Sequence, residues 1–295
     1  MSKSKKLVFF GTEDFSAACL TLLITAGWEI SAVVTKPDSK AGRGRKPAVP
    51  MVKHIAKENN IAVLQPEKAS EIAKSLDGFK TEFGVLAAYG KIIPSDVLRR
   101  FSGGIINLHP SLLPKYRGPA PIEAAILNGD KTTGVSIMKL VEKMDAGPVY
   151  AQKVVSLDGT EDRTLLYQKL AVEGAQLLVK KLPLVTAGRL KSKAQDEDKA
   201  SYTKLIKKSD GNLDFKKSAK QLERQVRAYA GWPKTTAKIY GQKIVVTSAR
   251  AAETKSDGQL VVPARAGYLE ILELVAPSGR MLSGSDFVRG YRGKA

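Results

Sequence analysis

The sequence predicts an α/β protein: a doubly wound, mostly parallel, Rossmann-like sheet, followed by a second, smaller OB-like β-barrel domain. Three observations carry that prediction. Short, near-continuous apolar runs alternate with amphipathic stretches as far as residue 150, the pattern of strands buried on both faces between crossover helices. A polar, lysine-rich tract then interrupts all periodicity. Beyond it, one helical pattern is followed by several short strand-like runs separated by glycines, as in a small barrel.

The buried strands are "KLVFF" (6–10), "ISAVVT" (30–35), "FGVLAA" (83–88) and "GIINLH" (104–109). Helices are expected between them at 15–26, 51–59, 67–76, 94–100 and 120–128. "TGVSIMKL" (133–140) and "PVYAQKVVSL" (148–157) alternate more clearly and stand close together, which predicts an antiparallel pair at the far side of the sheet. A long helix is expected at about 161–182, with Thr160 as its cap and Leu166, Leu170, Leu177 and Leu178 as its buried stripe. Residues 1–190 make up the first domain, 191–212 a linker and 213–295 the second domain. In the latter, "SAKQLERQVRAY" (218–229) is helical, and strand-like runs lie near 235–240, 243–248, 259–262 and 267–275.

Composition narrows the function. The formal net charge is +19 over 295 residues, and residues 191–295 alone carry 21 basic against 11 acidic groups, a net +10. Charge of that density repels itself and attracts polyanions. No apolar run reaches the ~20 residues of a membrane span, and "LVFF" is too short for a secretory leader, so a cytoplasmic protein is expected. One cysteine, Cys19, and two histidines leave no internal disulfide and no structural zinc set. "GRGRKP" is not a dinucleotide fingerprint, because Pro47 stands at the third glycine position. No phosphate-loop motif and no G-x-S-x-G elbow occurs, and Cys19 lies within an amphipathic helix.

In open parallel sheets, ligands bind beyond the carboxyl ends of the strands. The most unusual stretch at such an end is "NLHPSLLPKYRGPAP" (107–121). Asn107 and His109 are two residues apart, so on a strand both side chains leave the same face. An amide and an imidazole so placed can both donate to a developing oxyanion. A carboxylate to orient the imidazole is offered by Asp145, in the "EKMDAGPV" loop between the two antiparallel strands. His54, among lysines on a helix, reads as a surface or packing residue. The basic, glycine-rich "KPDSKAGRGRKPAVP" (36–50) follows the second strand, on the same sheet edge as His109. It reads as an arm beside the site, with arginines able to contact phosphates or base edges.

The run "INLHPSLLPKYRGPAPIEAAILNGDKTTGVSIMKLVEKMDAGPV" resembles the folate-dependent formyltransferase family, through Asn107-x-His109, Ser111–Pro114, Arg117-Gly118-x-Ala120-Pro121 and Asp145-x-Gly147. The opening "VFFGTEDF", the "PDSKAGRGRK" insertion, "AAYGKIIP" and "LERQVRAYAGWP" extend the resemblance over almost the whole chain. It implies a formyltransferase fold and a catalytic set of Asn107, His109 and Asp145. It also implies 10-formyltetrahydrofolate as donor, bordered by Tyr89, Gly90, Lys91, Ile92, Ser111, Leu112, Leu113 and Pro114, with no metal. The implied acceptor is the amino group of methionine on initiator tRNA, gripped by Lys40, Arg43, Arg45 and Lys46 and by a tRNA-binding second domain. The enzyme is expected to be a monomer with no membrane partner. Two other readings stand beside this one: a sugar-nucleotide or glycinamide ribonucleotide formyltransferase, and a non-catalytic RNA-binding relative.

Overall fold

The computed structural model describes residues 6–41 and 46–291. The chain forms two compact units. One is drawn from the chain up to Pro119, Thr133–Val155 and Tyr167–Thr203; the other from Ala120–Thr132, Ser156–Leu166 and the chain from Lys204 onward.

The first unit is a three-layer α/β arrangement, as the apolar runs require. In chain order come β1 (Lys6–Gly11), α1 (Asp14–Thr25), β2 (Glu29–Val34), the short strands β3 (Ser39–Ala41) and β4 (Lys46–Ala48), α2 (Met51–Glu58) and β5 (Ala62–Leu64). A turn of 3₁₀ helix and α3 (Ile72–Ser75) replace the single helix expected at 67–76 and lead into β6 (Phe83–Ala87), α4 (Ser95–Arg99) and β7 (Gly104–His109). After α5 (Pro121–Asn128), which belongs to the second unit, β8 (Thr132–Lys139) and β9 (Val149–Ser156) complete the sheet. Its order is β5-β2-β1-β6-β7-β8-β9. The first five strands of that order run parallel, and β8 pairs antiparallel with β7. Strand β5 is three residues long, too short to announce itself as an apolar run.

Leu7, Val8, Phe9 and Phe10 are all fully buried, because both faces of β1 are covered. On one face Phe10 meets the rings of Tyr89 and Phe101 edge-on, each at 5.9 Å between centroids, the geometry that the aromatic quadrupole favours. Val8, Ile72, Val97 and Ile105 complete that cluster. On the other face the long helix α6 (Arg163–Thr186) approaches β7 closely. A side chain at Gly174 would place its Cβ 2.8 Å from Leu108 Cδ2, so the helix sits this near the strand without displacing Leu108 because the position is glycine.

Helix α6 corrects two expectations. It starts at Arg163 with Asp162 Oδ1 accepting from Leu165 N at 2.8 Å, whereas the Thr160 hydroxyl donates to Asp158 instead. An aspartate at that position also meets the positive end of the helix dipole. The buried stripe comprises Leu166, Leu170, Ala171, Ala175, Leu178 and Leu182; Leu177 is only half-buried.

The second unit is an antiparallel half-barrel of five strands. Helix α7 (Ala219–Ala228) begins at a Ser218–Gln221 capping box. It is followed by β10 (Thr235–Ile239), β11 (Gln242–Ala252), β12 (Leu260–Pro263), β13 (Tyr268–Val275), β14 (Met281–Ser283) and α8 (Gly284–Tyr291). The sheet order is β10-β11-β13-β12, with β14 also on β13. Leu222 and Val226 from α7 and Phe287 from α8 pack with Ile244, Leu269, Ile271 and Leu274 to form its core. Helix α8 has no counterpart among the sequence expectations. No helix among the described residues is long and apolar enough to cross a membrane.

Candidate active site

Asn107 and His109 lie at the end of β7, on the carboxyl edge of the sheet, and both are buried. Their shared face follows from strand alternation, and the pairing of His109 with Ser136 on β8 sets their depth. The register Leu86↔Asn107 and Ala87↔Leu108 brings the loop after β6 out beside His109. No side chain or backbone group among the described residues hydrogen-bonds the Asn107 amide, so its donors are available to a bound molecule.

His109 is held from the other side. Its Nε2 lies 3.0 Å from the Tyr116 carbonyl oxygen, which can only accept, so Nε2 carries a hydrogen. Nδ1 is thereby left as the ring atom that exchanges a proton, and it faces Asp145 Oδ2 at 3.8 Å. That same carboxylate oxygen accepts from Gly118 N at 2.8 Å. The sequence-predicted trio is therefore brought together, with two loops meeting over the end of β7.

Both loops carry backbone that L-residues seldom adopt. Asp145 has φ +48° and Tyr116 φ +62°, and Ala88 in the neighbouring loop has φ +44°. Such conformations persist only where the surroundings hold them. Gly147 is part of that holding, because a Cβ there would lie 1.8 Å from the Lys139 carbonyl oxygen. In the loop after β7, the buried Ser136 hydroxyl donates to Ser111 O at 2.6 Å and accepts from Leu113 N at 3.0 Å. Gln152 donates to Leu113 O at 2.9 Å. Ser136 and Gln152 hold this loop, and alternation alone does not distinguish them from ordinary strand residues.

The residues expected beside a folate divide into two groups. Lys91 Nζ donates to Pro66 O and Glu67 O, and Ser111 Oγ donates to Lys115 O at 2.6 Å, so both polar groups are engaged with the protein. Leu113 is buried, Leu112 and Pro114 are half-buried and Gly90 is exposed, while Ile92 is 75% exposed. Tyr89 is buried with no hydrogen-bond partner for its hydroxyl among the described residues, and burial pushes its phenol up to about 12. The loop is tied to the turn after β1 and to α1: Thr12 N donates to Ala88 O, Thr12 Oγ1 to Tyr89 O, and Ser16 Oγ to Ala87 O at 2.7 Å.

Of the basic arm, β3 and β4 form an antiparallel ladder with Lys40 opposite Pro47 and Ala41 opposite Lys46. Arg43 and Arg45 lie outside the described residues. The foot of the arm is fixed, since Lys53 and Gln65 both donate to Asp38. Those bonds hold the Asp38 carboxyl below its usual range, Lys53 contributing most. His54 is exposed on α2, and burial pushes the Cys19 thiol up to about 12, which removes it as a nucleophile at neutral pH.

A further set of residues, which the sequence did not point to, surrounds Arg117. This guanidinium is fully buried, and all five of its N–H groups have acceptors on Gln195, Glu197 and Tyr202. The bonds from Arg117, with a second set from Lys143, hold the Glu197 carboxyl down at about 2. These partners lie in or beside the tract expected to be a linker. Instead, residues 193–203 are hydrogen-bonded along the first unit: Lys193 bridges to Val149, and Ser201 and Thr203 bond the backbone of Arg117.

Comparison with known proteins supplies the context for this geometry. Residues 5–182 match the formyl transferase family, and residues 205–292 match the formyl transferase C-terminal domain. A methionyl-tRNA formyltransferase from Sulfurihydrogenibium is 38% identical over 98% of this chain and 98% of its own. HypX from Aquifex aeolicus, solved with tetrahydrofolic acid, has a TM-score of 0.68 at 16% identity, covering 97% of this chain and 47% of that longer one. An N-formyltransferase from Helicobacter canadensis, solved with folinic acid and dTDP-3-aminofucose, also has a TM-score of 0.68, at 18% identity, covering 90% of this chain and 97% of its own. The match to residues 5–182 takes in the whole strand-end site from Asn107 to Asp145, and the chain belongs to the formyltransferase family of enzymes.

Proposed function

We propose that this enzyme transfers a formyl group from 10-formyltetrahydrofolate to the amino group of methionyl-initiator tRNA, acting as a cytoplasmic monomer. The observation that carries the chemistry is the unengaged Asn107 amide beside a His109 ring whose Nε2–H is committed to Tyr116 O. In this reading the acceptor amine attacks the formyl carbon and the formyl oxygen gains negative charge. Asn107 donates to that oxygen, and His109 Nδ1 takes the proton that the attacking amine loses. Asp145, 3.8 Å from Nδ1, steadies the cation so formed. The bond from carbon to the folate nitrogen then breaks, and the proton lost by the amine reaches that nitrogen through the His109–Asp145 pair and water.

We place the folate against Tyr89–Ile92 and Ser111–Pro114. Ile92 and Leu112 offer apolar surface there, while Lys91 and Ser111, both bonded to backbone carbonyls, keep the loops in shape. The tRNA falls to Lys40, Arg43, Arg45 and Lys46 and to residues 213–295, our tRNA-binding domain. The net +10 of residues 191–295 supports a polyanionic acceptor over a small metabolite. The test is a formyl-transfer assay offering methionyl-initiator tRNA, uncharged tRNA, glycinamide ribonucleotide and an amino-sugar nucleotide. Formylation of the charged tRNA alone is expected; a higher kcat/KM for either small acceptor overturns the assignment.

A further inference from the structure

Gln195 occupies a singular position between the two loops of the site. Its Nε2 donates both hydrogens, to Asp145 O at 2.8 Å and Gly147 O at 2.7 Å. Its Oε1 accepts from Arg117 Nε at 3.0 Å and Nη2 at 2.9 Å. The orientation of the amide admits no alternative, because a guanidinium only donates and the two carbonyls only accept. Every donor and two acceptor sites of the side chain are therefore used, and all of them face elements that meet His109. Asp145 is the residue at φ +48°, and the carbonyl that Gln195 grips is Asp145's own.

The other end of the clamp reaches the second loop. Arg117 directly follows Tyr116, whose carbonyl fixes His109. Ser201 holds this loop through Ser201 N to Pro114 O, Tyr116 N to Ser201 Oγ and Arg117 N to Ser201 O. The segment 193–203 thus fastens both loops at once, and only through Gln195 does one of its side chains bond the backbone of the Asp145 turn among the described residues. We propose that Gln195 is a positioning residue for formyl transfer: it holds the Asp145 turn in its left-handed conformation and sets the separation of Asp145 from His109. This rests on the reading that Asp145 acts on His109.

The diagnostic variant is Gln195→Glu, which keeps the acceptors that face Arg117 but turns a carboxylate toward two carbonyl oxygens. Kinetics would be compared for wild type, Q195E, D145N and the double variant, with Q195M as a second replacement that removes the two donated bonds, and with them the two accepted from Arg117, without adding charge. Asparagine at 145 tolerates the left-handed backbone and keeps an acceptor for Gly118 N. In an otherwise wild-type enzyme, Q195E is expected to lower kcat by between ~10-fold and ~100-fold while KM for the folate and the tRNA stays within about twofold. Because Gln195 acts through Asp145, the same change in the D145N background is expected to cost nothing further. Losses that multiply in the double variant, or a Q195M enzyme that folds with wild-type kcat, overturn the proposal. Full activity in D145N would instead overturn the role of Asp145 itself, so the two failures are distinct.

Discussion

The end of β7 and the segment 193–203 meet at one site but are ordered by different physics. Asn107 and His109 terminate a strand whose other residues are buried on both faces, so their positions follow from alternation and from ladder pairing with β6 and β8. Residues 193–203, "KAQDEDKASYT", have no hydrophobic periodicity and bury little apolar surface. Their order comes from hydrogen bonds to groups far away in the chain, at Pro114, Tyr116 and Arg117. The strand end can lose a functional side chain and keep its place, because the sheet holds it. The segment has no such reserve, and a short set of side-chain and backbone hydrogen bonds is all that holds it.

The sharpest way to test that contrast is to remove chemistry without touching the frame. His109→Ala is expected to lower kcat by ~10²–10⁴-fold while the melting temperature and tRNA affinity change little, since the β7 ladder is unaffected. A wild-type rate in a transfer assay would remove His109 from the mechanism, and a collapsed melting curve would show that the strand end is not independent of its side chain. The opposite change is Arg117→Met, which fills a similar volume and strands the acceptors of Gln195 that faced the guanidinium. It is expected to cost about 1.5–3 kcal/mol, the worth of a hydrogen bond to a charged group, read as a lower midpoint in urea, and to lower kcat as well. A variant as stable as wild type would show that the segment does not depend on its side-chain bonds.

That contrast also explains what was legible in the sequence. The parallel sheet, its strand ends and the shared face of Asn107 and His109 could be read because apolar runs are local signals and polar residues at strand ends stand out against them, whereas Asp145, in a glycine-ended turn, stood out only through the resemblance. Lys193 to Thr203 could not, since a charged tract reads the same whether it is solvated or satisfied by distant backbone groups. The shift from Thr160 to Asp162 as the α6 cap is a smaller failure of the same kind: both residues suit the position, and the Asp158 carboxylate decides by taking the Thr160 hydroxyl.

A third region, the basic arm, has a described stem and a tip known only from its sequence. Replacing Arg43 and Arg45 by alanine is expected to raise KM for the tRNA and to leave kcat and KM for the folate unchanged. For every phosphate that the variant no longer neutralises, the slope of log affinity against log salt should become shallower by about 0.7–0.9. Equal slopes for the variant and the wild type would place the tRNA elsewhere.

The smallest effect falls on Glu197, and its pH dependence separates charge from shape. The bonds from Arg117, then Lys143, lower its carboxyl from an ordinary 4.5 to about 2 in the folded protein. The unfolded chain therefore binds a proton more readily than the folded one, and stability from this group rises with pH across that window. It is complete above pH 4.5 and disappears as the pH falls toward 2. Glu197→Gln keeps the outline of the side chain and cannot ionise. The difference in melting temperature between wild type and E197Q should thus be level above about pH 5 and shrink steadily below pH 4.5. The side chain is half-exposed and solvent screens its charge, so the plateau itself will be modest. A difference that stays constant down to the acid limit would mean that Glu197 serves Arg117 by geometry alone, and the segment's hold on the site would then rest on Gln195 and the backbone bonds of Ser201.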